Sequence, residues 1–434
     1  MSSSRKWLAV IPLAALVLTA CGGGDDPVEP EPAAEAEEEA PEEEEAPEEE
    51  EAPAEDEEAA PVRADADLVI WADDTRAPVI TPFAEAFAAE QGITVAVQEV
   101  PFDIIRDNVS IQGPAGQGPD VFIGAHDWLG QLAADGVVAP LDLAGAADDY
   151  LDVALQAFAY EGTNYGLPYS IENIALIRNT ELAPESPGTI EEMIEMGLAS
   201  VEAGDSDIPV GWQQNDPFHN YWVVTGAGGY VFGQQDDGSY LADDIGIDSD
   251  GGLRAAELFG QMYDEGFVNP DVNYDVMIDS FSSGRTPFAV TGPWALENFG
   301  DVDFVVEPFP TIDGNAPGPF VGVQGFMVSS FAENELAART FVLDFMGTAD
   351  AQLELFEAGN RPPALTSAFE QVQDDPIVAG FGTAGEDGRP MPAIPQMGSV
   401  WEAWTNAYTN INSGNDPREA FQEAADQIRA LIDA

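Results

Sequence analysis

The chain has 434 residues, with 81 Asp and Glu against 13 Lys and Arg and a formal net charge of -68. That sign excludes a nucleic-acid binder, which needs basic groups to displace the counterions of phosphate backbones. One Cys and two His also exclude intramolecular disulfides and Cys- or His-rich metal sites.

Residues 1–20 place Arg5 and Lys6 before the apolar run WLAVIPLAALVLTA. This run is too short to span a membrane and sits where the core of a secretory signal belongs. It ends in Leu18, Thr19, Ala20 and Cys21, which resembles the lipobox of bacterial lipoproteins. That resemblance implies lipidation of Cys21 and an extracytoplasmic protein anchored to the cell membrane, periplasmic or on the outer face according to envelope type. Residues 21–65 form a linker with 20 carboxylates by Ala60 and no basic residue before Arg63. Like charges repel and proline denies regular hydrogen bonding, so a disordered spacer is expected. Residues 62–434 keep 61 carboxylates against 11 arginines, without a lysine, and suffice for two large lobes. So acidic a surface resembles those of proteins adapted to high salt, where screening weakens self-repulsion. It disfavours an acidic ligand and leaves neutral or cationic ones open.

Along this part strands and helices alternate. LVIWA at 68–72 reads as a buried strand, 79–92 as a helix, and 93–100 and 120–125 as strands. A helix over 126–136 would put Ala125, His126 and Asp127 at the carboxyl end of a strand, where open sheets bind ligands. Thr189 to Glu192 has capping-box spacing. Asp416 and Pro417 open a last helix with Phe421, Ala424, Ala425, Ile428 and Ile432 on its apolar face. DDGSYLADD at 236–244 lacks calcium-loop spacing and reads as a polar turn.

Catalytic signals are thin. His126 with Asp127, His219 with Asp216, and Asp73 with Asp74 are acid–base candidates by adjacency alone. No nucleophile elbow, phosphate loop or ligand-spaced metal motif occurs, so no cofactor or metal is expected. Rings and amides do concentrate, in GWQQNDPFHNYW at 211–222, GPW at 292–294 and WEAW at 401–404. Sugars ask for this combination, since their C–H faces stack on rings while their hydroxyls need paired donors and acceptors.

These segments carry a family resemblance. LVIWADD at 68–74, GPDVFIGAHDWLGQLAADGVVAPL at 118–141, YGLPYSIENIALIRN at 165–179, GAGGYVF at 226–232, TGPWALENF at 291–299, PFVGVQGF at 319–326 and MPAIPQMGSVWEAW at 391–404 resemble, in order, the maltose and maltodextrin-binding proteins. Those are the solute-binding components of ABC sugar importers. The resemblance implies a two-lobed α/β fold of the periplasmic-binding-protein type (type II), its lobes built from discontinuous segments around a hinge. It puts one lobe at 66–171 and 325–370 and the other at 175–320 and 376–434. It also implies ligand roles for Glu172 in the first crossing, Arg76 with Asp73 or Asp74 after the first strand, and Asp127 beside Trp128. Asp216 falls at a glutamate position, Phe218 at that of a stacking tyrosine, and His219 at another aromatic one. Trp294 and Trp401 match stacking tryptophans, and Glu402 adjoins the latter.

The departures from the pattern are Gly124 for a tryptophan, Trp128 for an arginine, Glu402 for a tyrosine and Thr405 for an arginine. One stacking platform is thereby expected to be lost, leaving maltose, trehalose, sucrose or another disaccharide open. The expected function is capture of maltose, maltodextrin or a related neutral α-glucoside by a non-enzymatic monomer, which hands it to the permease subunits of an ABC transporter. The alternatives are a binding protein for a peptide, polyamine or chelate, and a secreted glycosidase with a carboxylate pair roughly 5–9.5 Å apart.

Overall fold

The structure is a computed structural model describing residues 61–235 and 239–433. The signal at 1–20, Cys21 and the acidic tract to Ala60 lie outside the described residues. The folded unit takes hold of the chain at Arg63, whose guanidinium reaches the Gly118 carbonyl at 2.6 Å and the buried Asp120 carboxylate at 2.8 Å. Asp120 also accepts from the Val69 and Glu333 N–H groups, each at 2.7 Å. One carboxylate thus ties three segments of chain.

Strand β1, Leu68–Ala72, is buried throughout, as suits a strand with parallel neighbours on both sides. Those neighbours are β2, Val95–Glu99, and β3, Val121–Ala125, reached through α1, Ala77–Gln91, and α2, Phe102–Gln112. α1 stops at Gly92, whose φ of 68° suits a residue lacking Cβ. β4, Gly166–Asn173, belongs to this first sheet, whereas β5, Ala175–Asn179, belongs to a second, so the chain crosses at Ile174. Asn173 pins the crossing by donating its side-chain amide to the Ile174 and Phe381 carbonyls, both at 3.1 Å.

In the second sheet β5 pairs antiparallel with β7, Phe288–Thr291, and β8, Phe304–Glu307, while β6, Gly211–Trp212, runs parallel to β7. The chain returns through β9, Phe320–Val328, antiparallel to β3 and β4 and joined at its start by β10, Arg389–Pro390. This is a two-domain α/β architecture of mixed sheets and discontinuous segments, the periplasmic-binding-protein-like arrangement.

Helix starts follow their caps. Before α3, Ile190–Ala203, the Thr189 hydroxyl accepts from Glu192 N–H at 3.3 Å, and Glu192 returns a bond to Gly188 N–H at 2.7 Å. The last helix, Pro417–Ile432, is capped by Asp416, which accepts from Arg418 and Glu419 N–H at 3.0 Å each. The expected polar turn at 236–244 is corrected: Tyr240–Ile245 form a strand paired with Phe232–Gln234, because Tyr240 and Leu241 suit a pleated, half-buried surface. Residues 236–238 lie outside the described residues. Among the described residues no helix is long and apolar enough to cross a membrane.

Candidate functional site

The turn leaving β1 is organised by Asp73. Its carboxylate accepts from the Thr75 hydroxyl at 2.9 Å and Arg76 N–H at 3.0 Å, and pairs with the Arg76 guanidinium. Arg76 also donates to the Tyr169 hydroxyl, and its guanidinium carbon lies 5.1 Å from the centre of the Phe102 ring. Burial pushes the Asp73 carboxyl upward, but the charges of Arg76 and Arg361 outweigh it and hold the group below its ordinary range. Burial likewise opposes charge on Arg76, and Tyr169, Asp73 and Glu172 reverse that, raising its pKa. Asp74 is exposed, so of the two neighbouring carboxylates only Asp73 joins this buried group.

The expected helix at 126–136 divides into a 3₁₀ turn, His126–Trp128, and a short helix, Leu129–Ala134. His126 is a clasp: its Nδ1 accepts from Val323 N–H at 3.1 Å, so Nε2 carries the proton donated to the Met391 carbonyl at 2.9 Å. Burial depresses its pKa to about 4 and keeps the ring neutral. With both nitrogens occupied by backbone, His126 has no proton to exchange with Asp127. Asp127 is buried as well, and burial raises its carboxyl to about 6 against the charge of Arg106 and a hydrogen bond from the Trp401 side chain.

The space at Gly124 is taken by a ring from four residues on. A Cβ added at Gly124 would lie 2.4 Å from Cε3 and Cζ3 of Trp128, whose ring packs on Phe102 at 4.9 Å with a 37° tilt. Gly124 is therefore the space the Trp128 ring uses. Gly124→Ala is expected to lower stability by about 1–3 kcal/mol through overpacking. Urea denaturation checks this, and an unchanged midpoint would mean that the ring moves aside freely.

Glu172, near the end of β4, is buried with both oxygens engaged: Oε1 accepts from Gln324 Nε2 and Oε2 from Arg361 Nε, each at 2.7 Å. Across the crossing, α4, Pro217–Gly226, is capped by Asp216, which accepts from Phe218 N–H at 2.9 Å and holds His219 Nδ1 at 2.5 Å. Phe218 and His219 lie 6.2 and 6.1 Å from the Trp294 ring. Phe320, at the start of β9, extends this wall, stacking at 18° to Phe218 and lying 6.1 Å from Trp401. Glu402 is exposed.

Trp294, Phe218, Phe320 and Trp401 thus form a run of rings beside buried carboxylates, with the Trp401 side chain lowering the pKa of the Asp127 carboxyl and Trp294 approached by Arg361 from Glu172. Sequence reasoning assigned no role to Arg361, Gln324, Tyr169, Phe102 or Phe320. Phe320 lies in the quoted PFVGVQGF run, and Arg361 is one of only 11 arginines in an acidic domain, which were the available signals. Two cavities lie apart from these residues. One of about 510 Å³ is bordered by Leu141, Leu155 and Asn164, and one of about 400 Å³ by Tyr263, Asp264 and Pro417. Neither brings buried charges together with rings, as the candidate site at the crossing does.

The model of the bacterial extracellular solute-binding protein family matches residues 83–380. The chain belongs to that family. The family is one of binding proteins rather than catalysts and works outside the cytoplasm. Among the relatives of this solute-binding protein, the galactooligosaccharide-binding protein of Bacillus subtilis is 27% identical over 386 residues, covering 85% of this chain and 90% of that one. The maltotriose-binding protein of Pyrococcus abyssi is 30% identical over 332 residues, covering 74% and 71%. The structure of the Thermus thermophilus maltotriose-binding protein with maltotriose superposes with a TM-score of 0.78 at 30% identity, covering 84% of this chain and 100% of that one.

Proposed function

We propose that this solute-binding protein captures a neutral oligosaccharide, of the maltose, maltodextrin or related α-glucoside class, and delivers it to the membrane subunits of an ABC transporter. The carrying observation is the interleaving of rings with buried carboxylates, Trp401 on Asp127 and Trp294 linked through Arg361 to Glu172. Rings take the apolar faces of a pyranose, and carboxylates already fixed by protein donors accept its hydroxyls without reorganising. Asp73, Arg76, Asp127, Trp128, Glu172, Asp216, Phe218, His219, Trp294 and Trp401 are the proposed ligand shell. In this reading the lobes are 66–171 with 325–370 and 175–320 with 376–434, sugar binding shifts an open–closed equilibrium toward closure, and a lipid on Cys21 tethers a monomer to the membrane. The named specificity of the Bacillus subtilis relative favours a galactooligosaccharide as the second reading.

Isothermal titration against maltose, maltotriose, longer maltodextrins, trehalose, sucrose and galactooligosaccharides tests the proposal. Saturable binding to at least one is expected; binding only to peptides, polyamines or chelates would sink it. Trp294→Ala is expected to weaken the preferred sugar roughly tenfold to a hundredfold by removing a buried stacking surface. The same titration checks this, and unchanged affinity would remove Trp294 from the shell.

A further inference from the structure

Arg361 is 8% exposed and makes one hydrogen bond to protein among the described residues, from Nε to Glu172 at 2.7 Å. A guanidinium carries five N–H donors. The four on Nη1 and Nη2 have no acceptor among the described residues, and neither nitrogen is among the fully buried unpartnered atoms, so the residue's remaining exposure leaves them open to a ligand. The guanidinium carbon lies 5.6 Å from the centre of the Trp294 ring. Pro362 and Ala364, just after Arg361, bond to Ile171 and Tyr169 of β4 in the first sheet, whereas Trp294 follows β7 of the second. Arg361 therefore reaches from one domain to the stacking platform of the other. Beside it Gln324, 3% exposed, spends its amide N–H on Glu172 and leaves Oε1 without a partner among the described residues. Free donors thus remain on Arg361 beside one oxygen of Glu172 and a free acceptor on Gln324 beside the other, the complement of a ligand whose hydroxyls both accept and donate.

We propose that Arg361 is a ligand-contacting residue whose Nη groups donate to an oxygen of the hydroxylated ligand stacked on Trp294. This rests on the sugar-binding reading and deepens it. Glu172 already balances the charge of Arg361, so the partner is a neutral hydroxyl or ring oxygen rather than an anion. Gly359 leaves room for the arrangement, since a Cβ there would lie 2.6 Å from Arg361 Nη1.

The test is titration of wild type, Arg361→Met and Arg361→Lys with the sugar preferred by the wild type and with its monodeoxy analogues, alongside thermal unfolding. Arg361→Met is expected to lose about tenfold to a hundredfold in affinity. Arg361→Lys keeps a charge beside Glu172 but not the planar fork, and is expected to fold and still bind at least about fivefold more weakly. The wild type is expected to discriminate against one deoxy analogue, and both variants to lose that discrimination, which a merely structural role would not produce. Wild-type affinity and unchanged deoxy discrimination in Arg361→Lys, or in a folded Arg361→Met, would overturn the assignment while the sugar-binding reading stands. A wild type that binds no neutral sugar overturns the reading itself.

Discussion

Glu172→Gln is expected to lower unfolding stability by about 3–5 kcal/mol and to weaken ligand binding in the same variant. Both protein partners of Glu172 are donors, Gln324 Nε2 on one oxygen and Arg361 Nε on the other. A glutamine in either orientation sets its NH₂ against one of them. It also removes the only charge hydrogen-bonded to the Arg361 guanidinium among the described residues, leaving a buried cation beside Trp294 with only the unbonded charge of Asp73 to offset it. The binding loss has a second origin, since Arg361 would no longer be held in place. Urea denaturation and titration calorimetry on the same preparation check both parts. A variant as stable as the wild type would show that water or a shifted side chain replaces the pair cheaply.

Asp127→Asn is expected to act in the opposite sense on stability and in the same sense on binding. Burial raises the Asp127 carboxyl to about 6, above its ordinary value of 3.8, despite the charge of Arg106 and the Trp401 bond. The folded state therefore holds a proton that the unfolded state releases between pH 4 and 6. Stability contributed by the protonated form is present below pH 4, declines as pH rises through that window, and is gone above it. At neutral pH the charged group costs about 3 kcal/mol, and asparagine removes that cost while keeping an acceptor for Trp401. The variant is expected to be more stable at pH 7, with a flatter stability profile between pH 4 and 6, and to bind its ligand at least tenfold more weakly for want of a charged acceptor. Unfolding curves across pH 4–7 decide it: parallel profiles for variant and wild type would mean that Asp127 titrates normally. Together the two carboxylates differ in energetics, one locked to protein donors and one held charged at a cost to stability.

Much of the architecture is local and was legible. LVIWA is a buried strand because all five residues are apolar, and Asp416 before Pro417 starts a helix by supplying an acceptor to free N–H groups. The strand at 240–245 was missed because Ala242, Asp243 and Asp244 separate Tyr240 and Leu241 from Ile245, and pairing with 232–234 supplies what local preference lacks. At the site, one residue type in one segment sufficed to nominate Trp294, Trp401 and Asp127, whereas Asp73 and Asp74 could not be told apart until one was found buried against Arg76 and the other exposed.

The sequence by itself determined the charge, the alternation of strands and helices, the aromatic segments and the resemblance to a family, because each is written in neighbouring residues or in their order. Only the tertiary structure decided which of 61 carboxylates and 11 arginines lose their water, that Trp128 fills the space left by Gly124, and that Arg361 meets Glu172 and Trp294. Burial and pairing are made by segments as far apart as 172, 294 and 361. Desolvation energies depend on what those segments bring together rather than on what lies beside them in the chain.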